Sequence, residues 1–217
     1  TRDWWVVKIT ETGEEIWNKT YNGTVYDDMA AFIVTYDNNY IIGGSERRDQ
    51  NSTTRTNVIM NIDFNGEVLW KKDYDYLDMF DCQVLSDGQL LCLGIKQEDN
   101  SFSKYPYIYK IDIDGNELWS KMILNEYFSG VFSIISLQDN SGYVITGNSG
   151  NDPVDVWLAK LNLEGNIVWE KTFGGSNGED TGYSVIEVEN SNLLVIASNN
   201  SSSGPVSAWL IKTDSEG

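Results

Sequence analysis

Apolar and polar residues alternate in short runs along almost the whole chain, and the runs end at Asn, Asp, Gly or Ser. Near the end of the sequence, Tyr183–Val188, Leu193–Ala197 and Val206–Ile211 are such runs, rich in β-branched and aromatic side chains. Alternation with a period of two is typical of β-strands. No longer stretch repeats its apolar positions at the spacing of a helix. The pattern therefore predicts an all-β protein.

The strand-like runs belong to an internal repeat that its tryptophans reveal. A Gly lies four residues before each of four Trp residues, which recur at intervals of 53, 49 and 50 residues. Each repeat holds four strand-like runs, and four antiparallel strands in a unit of this length are typical of a β-propeller blade. A solenoid of β units is the alternative fold. The repeated tryptophans are predicted to be buried anchors between blades, or else sugar-stacking platforms: Trp17, Trp70, Trp119 and Trp169.

The repeat also predicts the domain organisation. One β-propeller region is expected over 1–217, with terminal strands in 1–21 and blades at about 28–74, 78–123, 130–173 and 180–217. The first strands would be the third and fourth of a blade, and the last would be the first three of another. Such ends expose an apolar blade face and a strand edge. We therefore expect a piece of a longer propeller, or a chain that associates with another copy or partner.

The hairpin before each Trp resembles the quinoprotein-type (PQQ-like) β-propeller repeat, in which a strand runs into Asp-x-x-Thr-Gly-x-x-x-Trp. Ile9–Trp17 is the most similar copy, although the interval from Asp63 to Gly66 is one residue shorter than in that family. The unit also looks like the repeats of microbial secreted and lipoprotein propellers. Dehydrogenases of the quinoprotein family bind a quinone and calcium. This chain has neither their adjacent-cysteine pair nor a counterpart of their catalytic Asp, so the resemblance implies a non-catalytic scaffold without a quinone.

Composition narrows the possible chemistry. The 217 residues include 33 Asp+Glu, 15 Lys+Arg and no His, which gives a formal net charge of −18. This charge opposes binding to nucleic acid or to an anionic membrane face, and no apolar run is long enough for membrane insertion. Because His is absent, Ser-His-Asp triads and His-ligated metals are excluded.

Three acidic residues are candidates for a ligand or metal site. Aligning the first strands by the turns that follow them brings Asp28, Asp78 and Asp180 into one register, with Gly130 in the remaining repeat. Carboxylates near a propeller axis could hold Ca²⁺, the one cofactor that the sequence suggests. Turn-capping aspartates are the alternative. The glycine-rich acidic connection 174–180 is either a ligand loop or a solvated linker.

Two further sets of residues bear on location. Cys82 and Cys92 lie on the two arms of one predicted hairpin, where they form either a cross-strand disulfide or two buried thiols. Glycosylation sequons and an acidic surface favour an extracellular or cell-surface glycoprotein. The sequon asparagines are Asn18, Asn22, Asn51, Asn199 and Asn200.

These observations favour a non-catalytic extracellular β-propeller that is a binding or structural module for a protein or glycan, with no catalytic residue. The prediction that it is not an enzyme depends on the absence of His and of a paired nucleophile and base. Two alternatives stay open: a carboxylate-based glycan-active enzyme with its site at the propeller mouth, and a self-associating surface-filament subunit. Two mouth carboxylates, one with a raised pKa, would favour the enzyme.

Overall fold

The structure is a computed structural model, and it describes residues 3–21, 29–46, 56–74, 77–97, 104–123, 128–150, 153–175, 178–200 and 205–217. Within these ranges, the one helical element is a single 3₁₀ turn, Glu189–Ser191, and no helix is long and apolar enough to cross a membrane. All other regular elements are strands. In chain order they are β1 Trp4–Ile9, β2 Glu15–Tyr21, β3 Met29–Tyr36, β4 Asn39–Glu46, β5 Thr56–Ile62, β6 Val68–Tyr74, β7 Leu77–Val84, β8 Leu90–Gln97, β9 Lys104–Ile111, β10 Glu117–Met122, β11 Phe128–Ser136, β12 Tyr143–Ser149, β13 Asp155–Leu161, β14 Ile167–Phe173, β15 Thr181–Val188, β16 Asn192–Asn199 and β17 Ser207–Thr213.

The strands form antiparallel sheets in which chain neighbours pair. Three sheets have four strands each, in the orders β3-β4-β5-β6, β7-β8-β9-β10 and β11-β12-β13-β14. The described part of the chain adds a two-stranded sheet, β1-β2, and a three-stranded sheet, β15-β16-β17, and we number these five sheets in chain order, with β1-β2 as the first. This arrangement confirms the predicted all-β propeller built from four-stranded antiparallel blades.

The first strands of successive sheets, β3, β7, β11 and β15, lie against one another and form the inner part of the propeller. At one end of the propeller, which we call the crossover end, each outermost strand connects to the inner strand of the next sheet. The connections from second to third strands lie at the same end, because neighbouring strands are antiparallel. Each inner strand has a β-bulge at the corresponding place, between the paired residues Ala30/Phe32, Met79/Asp81, Val131/Ser133 and Gly182/Ser184.

The hairpins at the opposite end connect each sheet to its predecessor. Gly115 has a φ of 77°, and its amide N–H donates to the Asp112 carbonyl at 3.0 Å, as in a type I turn closed by a left-handed glycine. A Cβ atom on Gly115 would lie 2.9 Å from the ring of Trp70 in the preceding sheet. Gly66 and Gly217 take the same place beside Trp17 and Trp169. The hairpin glycine therefore serves both the turn and the contact between sheets.

The four repeated tryptophans are half-buried, whereas the sequence predicted buried anchors. Each packs against a different core cluster as a partly buried residue. Fully buried positions instead belong to smaller side chains of the middle strands, such as Ile41 and Ile59. The hydrophobic cores thus lie between sheets, and each Trp closes the edge of one.

The structure joins Cys82 to Cys92 by a disulfide inside the core between the second and third sheets. The two residues are directly paired across β7 and β8, with their Cα atoms 4.1 Å apart. Both side chains are almost completely buried. The bond therefore ties an inner strand to its neighbour within one sheet.

Candidate functional site

Of the three aspartates that the sequence placed in one ring, the structure describes two, Asp78 and Asp180. Asp28 lies outside the described residues. Asp78 is exposed and lies two residues before the bulge residue Phe80, whereas Asp180 is 3% exposed and lies three residues before the bulge residue Tyr183. Since successive strand residues point to opposite faces, this one-residue offset separates the two side chains.

Asp180 instead connects three segments at the crossover end. Its amide N–H donates to the carbonyl of Val154 at 2.7 Å, and its Oδ1 accepts the amide N–H of Asn200 at 2.9 Å. Asp180 precedes β15, while Val154 precedes β13 and Asn200 follows β16. These bonds fix the carboxyl group of Asp180 beside the start of β13.

Asp155, the first residue of β13, supplies a second carboxyl group at this place. Its Oδ1 is buried and has no hydrogen-bond partner in the part of the chain that the structure describes. Gly174 packs directly against this carboxyl group, so that any side chain there would collide with it. Burial raises the pKa of Asp155, and the negative charge of Asp180 raises it further. We call Asp155 and Asp180 the carboxylate pair.

Asn148 lies on β12 one residue before Ser149, the cross-strand partner of Asp155, so its side chain points to the opposite face of the sheet from that of Asp155. Its Nδ2 donates to Oγ1 of Thr181 at 3.2 Å, but its buried Oδ1 accepts no hydrogen bond within the described residues. Two buried oxygens, on Asn148 and Asp155, thus have unfilled accepting capacity. Leaving such buried groups unpaired costs free energy at both positions.

A row of aromatic rings crosses the inner strands, with one ring on each of β7, β11 and β15. Phe80 and Phe132 have centroids 5.9 Å apart, and Phe132 and Tyr183 have centroids 5.5 Å apart. All three are bulge residues, and the Tyr183 side chain is 51% exposed. Partly exposed rings in a row offer apolar faces on which sugar rings can stack.

Asp81 is a further carboxyl group among the inner strands, but its contacts are internal. Its Oδ2 accepts the hydroxyl of Ser133 at 3.1 Å and the amide N–H of Ile134 at 2.9 Å. Burial raises the pKa of Asp81, although these hydrogen bonds oppose the rise. Asp81 therefore links β7 to β11, and we assign it no chemistry.

Of the sequon asparagines that the structure describes, Asn200 borders this site through the hydrogen bond from its amide N–H to Asp180. Asn18 is exposed on β2, and Asn199 and Asn200 lie half-buried at the end of β16. Asn22 and Asn51 lie outside the described residues. The described residues bring no three His, Cys, Asp or Glu side chains together in a group that could hold a metal ion. Calcium binding and glycosylation therefore stay predictions.

Sequence reasoning missed Asp155 and the aromatic row. The row has a sequence signal, because Phe80, Phe132 and Tyr183 occupy the same place in three successive repeats. Asp155 has no such signal, since its importance comes from Gly174 and Asp180, which approach it from the next crossover. The glycine-rich connection that the sequence allowed as a ligand loop does supply both of these residues.

Neither a protein-family model nor a curated protein matches the sequence, so the quinoprotein-type assignment is not confirmed. Among solved structures, the chain is similar to an endo-arabinase from Bacteroides thetaiotaomicron, with a TM-score of 0.53, 12% identity and coverage of 83% of this chain and 73% of that one. It is also similar to a GH43 β-xylosidase/α-arabinofuranosidase from a compost microbial metagenome, in complex with xylotriose. There the TM-score is 0.57, the identity is 9%, and 97% of this chain and 79% of that one are covered.

At these identities the likeness establishes the β-propeller fold alone. It contradicts the predictions of a non-catalytic module and of a protein that is not an enzyme, because the two similar propellers carry the names of glycan-cleaving enzymes. Those predictions took the absence of His for an absence of catalysis. The inference was wrong because glycoside hydrolysis requires only two carboxyl groups in different environments.

Proposed function

We propose that this chain is the propeller of a glycan-cleaving hydrolase and that the carboxylate pair, Asp155 and Asp180, carries its chemistry. The observation behind the proposal is the pairing itself: a partly buried carboxyl group with a raised pKa lies within the electrostatic reach of a second carboxyl group at the crossover end. The names of two propellers of similar fold support the substrate class.

The environments of the two groups suit different roles. Burial favours the protonated form of Asp155. A protonated carboxyl group can donate its proton to the glycosidic oxygen while the bond between that oxygen and the anomeric carbon breaks. Asp180 is held by the Asn200 amide N–H and would take a proton from the attacking water. The water oxygen then forms the new bond to the anomeric carbon, so one proton is donated and one is accepted.

The surroundings of the pair suit a glycan. Tyr183 follows Asp180 by three residues, which corresponds to about 10 Å along a strand. A short glycan spans a distance of this size. The aromatic row therefore provides a stacking surface within reach of the carboxyl groups.

The experiment measures reducing ends released from arabinan and from xylan by the protein and by its D155N and D180N variants. We expect Asp155→Asn to lower kcat by about 100-fold or more, because general acid catalysis contributes at least that factor. The matched control is Asp139→Asn, an exposed turn residue at the opposite end that accepts the Ser141 amide N–H at 2.8 Å. It should keep full activity.

Two results would overturn the proposal. One is a protein that releases sugar from neither polysaccharide; the other is a folded D155N variant as active as the unmodified chain. In the active protein, kcat/KM should fall as the pH rises through the raised pKa of Asp155, because the acid must be protonated to act. A profile without this limb would remove Asp155 from the acid role.

Three finer assignments accompany the proposal. An extracellular or cell-surface location is supported by the Cys82–Cys92 disulfide, since such bonds persist in oxidising compartments. A glycan is proposed as the partner on the evidence of the carboxylate pair. We propose that the hairpins are similar to quinoprotein-type repeats in their repeat pattern alone, and we propose no quinone chemistry.

A further inference from the structure

The strand that precedes the hairpin glycine shows how neighbouring sheets meet. Because successive residues point to opposite faces, one set of its side chains packs against the preceding sheet and the other set against the following sheet. In the fourth sheet, Trp157, Ala159 and Leu161 pack against the third sheet, and Val156 and Leu158 pack against the fifth. All five side chains are completely buried. We call these two surfaces of a sheet its backward face and its forward face.

The backward face of the first sheet is open to solvent. Its strand β1 places Trp5, Val7 and Ile9 at the same distances from the hairpin glycine as the three backward-facing residues of the fourth sheet. In the first sheet these side chains are 68%, 36% and 58% exposed. The alternate residues Trp4 and Val6 belong to the core that the first sheet shares with the second. The first sheet therefore buries its forward face and exposes its backward face.

The fifth sheet is open on the other side, at its forward face. Leu210 of β17 has the same distance from the hairpin glycine as Leu158 of the fourth sheet, and it pairs directly with Ile196 of β16. Ile186 of β15 lies on the same face, because it pairs with Leu194, two residues from Ile196. The Leu210, Ile196 and Ile186 side chains are 64%, 51% and 50% exposed. The backward face of this sheet is buried against the fourth sheet.

Exposure at these positions differs from exposure elsewhere on the strands. The residue just before the hairpin Trp is apolar and about half exposed in each of the first four sheets: Ile16, Leu69, Leu118 and Val168. Exposure there is a property of the position and indicates no contact. By contrast, Ile9 and Leu210 occupy positions that are completely buried in the second, third and fourth sheets. The residues at these positions are Ile62, Ile111 and Leu161 for Ile9, and Ile59, Ile108 and Leu158 for Leu210.

We propose that copies of this protein assemble end to end, with the forward face of the fifth sheet in one copy packed on the backward face of the first sheet in the next. The two open faces are the two halves of a contact that the five sheets make four times inside each molecule, which favours a second copy as the occupant. A two-stranded sheet is large enough for its part, because the first sheet already shares a core with the second. Since the two faces differ, the contact is heterologous, and the copies join into a closed ring or an open chain. The inference goes beyond the proposed function and does not depend on it.

The test is sedimentation equilibrium of the unmodified chain and of two variants, Trp5→Glu on the backward face and Leu210→Glu on the forward face. An ionic strength of about 0.15 M screens charges more than ~8 Å apart, which limits repulsion between copies of net charge −18. We expect the unmodified chain to associate and each variant alone to be a 24.5 kDa monomer, because a carboxylate in an apolar contact loses its hydration without a partner. The Kd should rise by about 30-fold or more, as for the loss of a hot-spot residue. The matched control, Leu118→Glu, should associate as the unmodified chain does.

Mixing the two variants gives the decisive result. W5E keeps an intact forward face and L210E keeps an intact backward face, so an equimolar mixture should form a dimer of one copy of each and nothing larger. A mixture that stays monomeric, an unmodified chain that is a monomer, or a single variant that still associates with itself would each overturn the proposal. If either variant loses the circular dichroism of the folded chain, I9E and I196E replace W5E and L210E on the same faces.

Discussion

Replacing Trp70 by Ala tests how adjacent sheets of the propeller hold together. Trp70 is half-buried against the core between the second and third sheets, and its ring lies under the hairpin glycine Gly115. An aromatic side chain of about 200 Å² that is about two-thirds covered keeps roughly 130 Å² from water, which is worth about 3 kcal/mol at ~25 cal/mol per Å². We therefore expect Trp70→Ala to lower the free energy of unfolding by about 3 kcal/mol.

Urea-induced unfolding, followed by circular dichroism, measures this change. The midpoint of thermal unfolding should fall by about 10 °C, as expected for a domain of this size. Trp5 provides a matched control, because it is also a strand Trp but is 68% exposed. Trp5→Ala should change stability by less than about 0.5 kcal/mol. Equal losses in the two variants would show that Trp70 is not an anchor.

A double-mutant cycle sharpens the test. Gly115→Ala places a Cβ atom 2.9 Å from the Trp70 ring and also strains a backbone with a φ of 77°. In the W70A background the collision disappears and only the backbone strain remains. Gly115→Ala should therefore cost less there than in the unmodified chain. Additive effects would refute direct packing of the hairpin on the tryptophan.

Three other predictions follow from the site, the surface and the composition. Asp155→Asn should stabilise the fold at neutral pH, because the raised pKa means that ionisation of Asp155 costs stability as the pH rises above about 4. In urea titrations at about pH 3 the gain should vanish, because the carboxyl group is then protonated in both the folded and the unfolded state. A gain that persists at this low pH would contradict this assignment. The isolated chain should associate in solution, because apolar side chains such as Ile196 and Leu210 are exposed side by side on the last sheet; light scattering that gives a 24.5 kDa monomer would refute this. The protein should bind no quinone when mixed with quinone and Ca²⁺, and a stoichiometric change in the absorbance spectrum would revive the quinoprotein chemistry.

The sequence by itself determined the local structure and the repeat. Strand alternation and the Gly-to-Trp hairpins depend on residues close together in the chain, so the strands, the turns around Gly115 and its counterparts, and the propeller class could be predicted. The cross-strand approach of Cys82 and Cys92 likewise follows from one hairpin. The half-burial of Trp70 could not be read in this way, because it depends on how far the hairpin of the next sheet extends.

Tertiary structure decided the chemistry. Asp155 and Asp180 approach each other only because a crossover brings Gly174 and β15 beside the start of β13. Asp180 lies three residues before the bulge residue of its strand, Tyr183, whereas Asp78 lies two residues before Phe80, the bulge residue of its own strand. An alignment by turns cannot detect this offset, because it does not show where the bulge lies. Contacts between sheets join residues that are far apart in the chain, so the sequence shows which residues are present but not which of them lie together in space.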